Sequence, residues 1–115
     1  MSEQSSTFVN AISAEIELIT DGIKRQFLGY GPELMAVKIW FEEGAIGYEH
    51  QHPHTQVCYV ESGEFEATIG GETQTIGAGD SFYVAPNKLH GSVCKKAGVM
   101  IEMFSPLRQD FLTGE

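Results

Sequence analysis

The fold this sequence predicts is all-β, a jelly-roll barrel or sandwich in a single domain. Three observations predict it. Short segments alternate apolar and polar side chains, the period of a half-buried strand. Turn dipeptides such as Asp21-Gly22, Gly31-Pro32 and Gly70-Gly71 recur between those segments. No helical period persists long enough for an α/β fold. A length of 115 residues allows one core and no second module. A hydrophobic content of 42% with 13 glycines fits a compact β protein rather than a disordered chain.

Residues 1–12 read as a mobile N-terminal arm or a short helix, and residues 13–115 as the domain with a short C-terminal tail. Ile16 and Leu18 alternate with Glu15 and Glu17 up to the Asp21-Gly22 turn. Ile23 to Leu28 returns, and Gly31-Pro32 turns again. Leu34 to Phe41 is a longer strand with Met35, Val37, Ile39 and Phe41 on one face. Beyond the histidine-rich loop, Gln56 to Val60 is expected as a strand with Glu64 to Ile69 as its partner. Glu72 to Ile76 returns from Gly70-Gly71, and Ser81 to Val84 runs up to Pro86. Gly91 to Lys95 and Val99 to Phe104 are expected to form a last hairpin turning near Ala97-Gly98. The tail, Ser105 to Leu112, is expected to form a short helix that packs Phe111 on the barrel.

A formal charge of −9 argues against nucleic acid and anionic membranes as partners. No stretch approaches the ~20 apolar residues needed to cross a bilayer. The N-terminal residues lack a positive n-region, so a cytoplasmic location is expected. Cys58 and Cys94 are then expected to be reduced, as apolar filler or as reactive thiols.

The chemistry concentrates in Gly44 to Gly63, GAIGYEHQHPHTQVCYVESG. On a strand, His50 and His52 project to one face. Gln56 can join them after a short turn, and His90 can close the set from a neighbouring strand. His50, His52, Gln56 and His90 are therefore the candidate ligands of one divalent metal ion. The metal is open among nickel, zinc, iron, copper and manganese, since nitrogen-rich sites suit all of them. His54 either orients a ligand or lines the loop. The set has no anionic ligand, which favours binding an anionic substrate and a Lewis-acid role over dioxygen chemistry.

A second cluster ends the chain. Glu102 shares a face with Met100 and Phe104. If that face is inward, desolvation raises its pKa and suits it to proton transfer near neutral pH. If it is outward, Ile101 and Met103 are core and Glu102 is a surface charge. Arg108 reads as a surface charge or a carboxylate clamp.

Gly44, His50, His52, Gln56 and Gly63 fall at the intervals of the first cupin motif, with glutamine where most cupins carry glutamate. Gly79, Pro86 and His90 approximate the second motif with irregular spacing. The chain thus resembles the cupin family, which implies the jelly roll and, through an exchanged first strand, a homodimer. From about Glu15 to Leu112, through GIKRQFLGYGPELMAV, HQHPHTQ, GGETQTIGAGDSFYVAPNKLHG and FSPLRQDFL, it is similar to the small cupins named KdgF of pectin degradation. That resemblance implies a small anionic sugar as substrate, a 4,5-unsaturated monouronate opened to a linear 5-keto-4-deoxyuronate. It also implies Glu102, Phe104 and Arg108 as the catalytic group, with glutamate standing where an aspartate is expected. The competing functions are another cupin enzyme, a dioxygenase or sugar isomerase, and a non-catalytic sugar-binding cupin.

Overall fold

The structure is a computed structural model that describes residues 3–113. Eight antiparallel strands and one short helix follow in order: β1 Ile16–Thr20, β2 Ile23–Gly31, β3 Leu34–Phe41, β4 Ile46–His50, β5 Thr55–Ile69, β6 Glu72–Gly77, β7 Ser81–Val84, β8 His90–Ser105 and α1 Gln109–Thr113. The strands are laid out β1-β2-β3-β8-β5-β6, with β4 added to β8 and β7 added to β5. The all-β jelly roll expected from the alternating pattern is what forms. The segment before β1 carries no helix among its described residues. It lies along β2, held by Ser5 to Tyr30 and by the Gln26 carboxamide donating to the Ala11 and Ala14 carbonyls.

Local sequence accounts for most elements. In β3, Met35, Val37, Ile39 and Phe41 are buried and alternate with partly exposed neighbours. Gly70 and Gly71 both have positive φ, which a two-residue hairpin turn between β5 and β6 requires. The core between the layers holds Phe65, Phe104, Met35 and Met100, all fully buried. Each such side chain contributes about 1.5–3 kcal/mol on leaving water.

Two expectations are corrected. Gln56–Val60 and Glu64–Ile69 do not pair with each other, and Gly91–Lys95 and Val99–Phe104 form no hairpin. Each pair of segments is one long strand, β5 and β8, and the two long strands pair along their length. The first half of β5 lies on the second half of β8, where β3 and β7 extend the layer. The second half of β5 lies on the first half of β8, where β4 and β6 extend the other layer. The register shifts between Val60 and Phe65, where the strands bend from one layer to the other. There the chains cross so closely that a Cβ on Gly98 would sit 2.6 Å from the Gly63 Cα and would also overlap the Ser62 carbonyl oxygen. Gly98, read as a turn signal, and Gly63 are the point of contact in that crossing.

Candidate metal and acid–base site

Three elements bring the histidines together. His50 ends β4, and His90 opens β8 directly opposite it. His52 is not on a shared strand with His50, as its spacing suggested. It lies in the loop after β4, buried, with its ring centroid 4.9 Å from that of His90. The ligand atoms of His50, His52 and His90 all lie within 4.8 Å of one another. Gln56, buried at the start of β5, puts Oε1 2.9 Å from His52 Nε2. All four candidate ligands therefore converge.

Hydrogen bonding prepares two of the rings. His90 Nδ1 is 2.8 Å from the Lys88 carbonyl, and His50 Nδ1 is 2.9 Å from the Tyr48 carbonyl. A carbonyl only accepts, so each Nδ1 carries the proton and each Nε2 keeps a lone pair. His90 Nε2 is buried without a hydrogen-bond partner, as is His52 Nδ1. An orphaned lone pair such as that of His90 Nε2 is uncommon in folded proteins and fits a cation-binding role. Burial, reinforced by the charge of Arg108 and the neighbouring rings, lowers the His52 pKa to about 4. Burial also lowers that of His90. Neutral imidazoles are the form that binds a metal. The His52–Gln56 contact suits neighbouring ligands too, since two donors about 2.1 Å from one ion and at right angles are about 3 Å apart. Three nitrogens and one amide oxygen, all neutral, fit a divalent transition ion.

These groups open onto a cavity of about 170 Å³, whose walls include His50, Gln56, His90, Glu102, Phe104 and Arg108. The two readings of the last strand are thereby resolved. Met100, Glu102 and Phe104 face inward, while Ile101 and Met103 lie on the outer side. Glu102 sits between Val37 on β3 and Cys58 on β5, both fully buried. Desolvation raises its pKa from 4.5 to about 7, against the opposing pull of the Cys58 thiol and of Arg108.

That shift sets a pH dependence of stability. Between about pH 4.5 and 7 the folded carboxyl keeps a proton that the unfolded chain has lost, so stability falls as pH rises through this window and levels off above it. The full difference is on the order of 3 kcal/mol. Glu102→Gln should remove this fall in the metal-free protein. Melting temperatures of both proteins at pH 5 and pH 8 check it. Equal pH slopes in the two would show that Glu102 titrates normally.

Arg108 is buried rather than a surface charge. Its Nε and Nη2 donate to the two carboxylate oxygens of Asp110 at 3.0 and 2.8 Å. Burial alone would raise the Asp110 pKa, but this hydrogen bond and the guanidinium charge outweigh it and hold it low. The guanidinium also stacks over the rings of Phe104 and Phe111, 5.1 and 4.1 Å from their centroids. Phe111, on α1, packs on the core as expected and also lines the cavity.

Asp110 was not anticipated. Its signal was present as Arg-Gln-Asp, two residues apart, but a tail carries no periodicity to say which side chains meet. His54 stays outside the triad, with Nδ1 buried and unpartnered and its ring centroid 5.4 Å from that of His52. Cys58 and Cys94 are buried free thiols whose pKa values burial raises, which keeps them protonated.

Known proteins share this sequence family and fold. Residues 39–104 match the cupin domain model. The chain is 43% identical over 98 residues to the pectin degradation protein KdgF of Dickeya dadantii (strain 3937), covering 84% of this chain and 89% of that protein. The crystal structure of an RmlC-like cupin from Shewanella frigidimarina NCIMB 400 superposes with a TM-score of 0.93 at 51% identity, over 95% of this chain and 98% of the other. KdgF from Halomonas sp. superposes with a TM-score of 0.88 at 34% identity, over 93% and 99% of the two chains. The chain belongs to the cupin family, and within it to the KdgF group.

Proposed function

We propose that this protein opens the ring of 4,5-unsaturated monouronates, giving the linear 5-keto-4-deoxyuronate. The observation that carries this reading is a carboxyl group, its pKa pushed up to about 7 by burial, on the wall of a cavity also lined by His50, His90 and a buried arginine, with His52 beside those two histidines. The kinship with KdgF, a protein of pectin degradation, supplies the substrate class.

The substrate is a cyclic hemiacetal whose ring oxygen is attached to an alkene carbon. Loss of the anomeric hydroxyl proton breaks the bond between carbon 1 and the ring oxygen. The products are an aldehyde and an enolate. Protonation at carbon 4 turns the enolate into the ketone, so the proton taken is matched by a proton returned and no redox partner is needed. Glu102, whose pKa burial pushes up to about 7, is suited to both transfers. His50, His52, His90 and the Gln56 carbonyl would hold the divalent ion, which supplies Lewis-acid stabilisation of negative charge on a sugar oxygen. Phe104 gives the sugar an apolar wall beside Glu102.

Arg108 pairs with the uronate carboxylate. Asp110 occupies its Nε and one side of Nη2, leaving Nη1 free for a second carboxylate. Arg108→Ala should raise KM about 10- to 100-fold, the range for a hydrogen bond to a charged group. Initial rates over a range of uronate concentrations read this directly. An unchanged KM would remove Arg108 from substrate binding.

The direct test follows ultraviolet absorbance of an unsaturated monouronate, whose conjugated alkene is lost on opening. Decay faster than the spontaneous reaction, slowed by a chelator, is expected. A rate no faster than the spontaneous one would overturn the proposal.

A further inference from the structure

Both ends of the buried Gln56 carboxamide are engaged. Oε1 faces His52 Nε2 at 2.9 Å, and Nε2 donates to Cys58 Sγ at 3.1 Å. Cys58 is fully buried and lies directly across the strand pair from Glu102, whose carboxyl helps to hold the thiol protonated. A carboxamide has nearly the same shape in its two flipped orientations, yet only its oxygen can ligate a cation. His52 by itself does not choose between them, because an imidazole nitrogen donates in one tautomer and accepts in the other. The sulfur does choose. A thiol that turns its proton toward the facing Glu102 carboxylate offers Gln56 lone pairs, which accept from the amide nitrogen and repel the amide oxygen.

We propose that Cys58 is a positioning residue that turns the Gln56 oxygen toward the histidines and ties this ligand to Glu102. The metal-holding end of the cavity and its acid–base end are then one hydrogen-bonded unit, His52–Gln56–Cys58–Glu102, rather than two independent groups. This inference rests on the reading of Gln56 as a metal ligand.

Two measurements test it. In the first, Ni²⁺ is titrated calorimetrically into metal-free wild type, Cys58→Ala and Cys58→Ser. Alanine removes the acceptor and should weaken binding about 10- to 100-fold, the range for partners that orient a ligand. Serine keeps both a lone pair and a proton and should restore binding to near the wild-type value. Cys58→Ala binding Ni²⁺ as tightly as wild type overturns the proposal, and so does failure of serine to rescue. In the second, nuclear Overhauser contacts of the Gln56 amide protons are recorded in metal-free wild type. Contacts to the Cys58 β-protons are expected. Contacts to the His52 ring instead mean the amide is flipped, and the proposal falls. This second measurement decides the matter if Cys58→Ala does not fold. It also separates the two failures: wild type without Ni²⁺ affinity sinks the metal reading, while the amide contacts still judge what Cys58 does.

Discussion

Glu102→Gln is expected to lower turnover of an unsaturated monouronate by about 10²- to 10⁴-fold, the usual contribution of a positioned acid–base group. The amide keeps the size of the side chain and can still accept from the Cys58 thiol, but it exchanges no proton. Metal content and the circular dichroism spectrum should therefore match wild type while the absorbance decay slows. The size of the effect follows from where Glu102 lies. Between Val37 and Cys58, both with no exposed surface, its ionised form is poorly solvated, and its pKa of about 7 serves donation and abstraction alike. Because the reaction opens with proton removal, kcat/KM of the wild type should decline as pH falls below about 7, where the carboxyl becomes protonated. Turnover that survives the substitution would show that another group moves the proton.

His90→Ala should be nearly as costly, through a different route. His90 offers a buried lone pair on Nε2, held in that tautomer by the Lys88 carbonyl. Its loss leaves His50, His52 and Gln56, and affinity for a divalent ion should fall by more than the ~100-fold seen when only an orienting partner is removed. A ligand that binds only the folded state raises the melting temperature. Added Zn²⁺ or Ni²⁺ should therefore stabilise wild type and leave His90→Ala almost unmoved. The metal-free variant should melt below metal-free wild type, since a buried ring and its bond to the Lys88 carbonyl are lost, so the comparison is of the metal-induced shift within each protein. An equal metal-induced shift in both proteins would mean that the ion binds elsewhere.

Most strand segments, the hairpin turns at Asp21-Gly22 and Gly70-Gly71, and the grouping of His50, His52, Gln56 and His90 could be read from the chain alone, whereas β4 could not. Alternation with a period of two and paired glycines are local signals that the structure follows, whereas the His-x-His spacing brings the two rings together with His50 ending β4 and His52 in the loop after it. The inward face of β8 could not be read that way. Met100, Glu102 and Phe104 on one side and Ile101 and Met103 on the other are almost equally apolar, so periodicity offers no preference. The choice came from β3 and β5, which set Val37 and Cys58 beside Glu102. The continuity of β5 and β8 through Ser62-Gly63 and Ala97-Gly98 was hidden for a related reason. Glycine marks a turn and a close strand crossing in the same way, and only long-range pairing distinguishes the two. The Asp110 clamp on Arg108 and the Cys58 contact between Gln56 and Glu102 were likewise decided in three dimensions. Sequence specified which groups this protein has for chemistry, while the packing of distant strands decided which of them are desolvated, paired and aimed at one another, because burial and hydrogen bonding depend on neighbours in space.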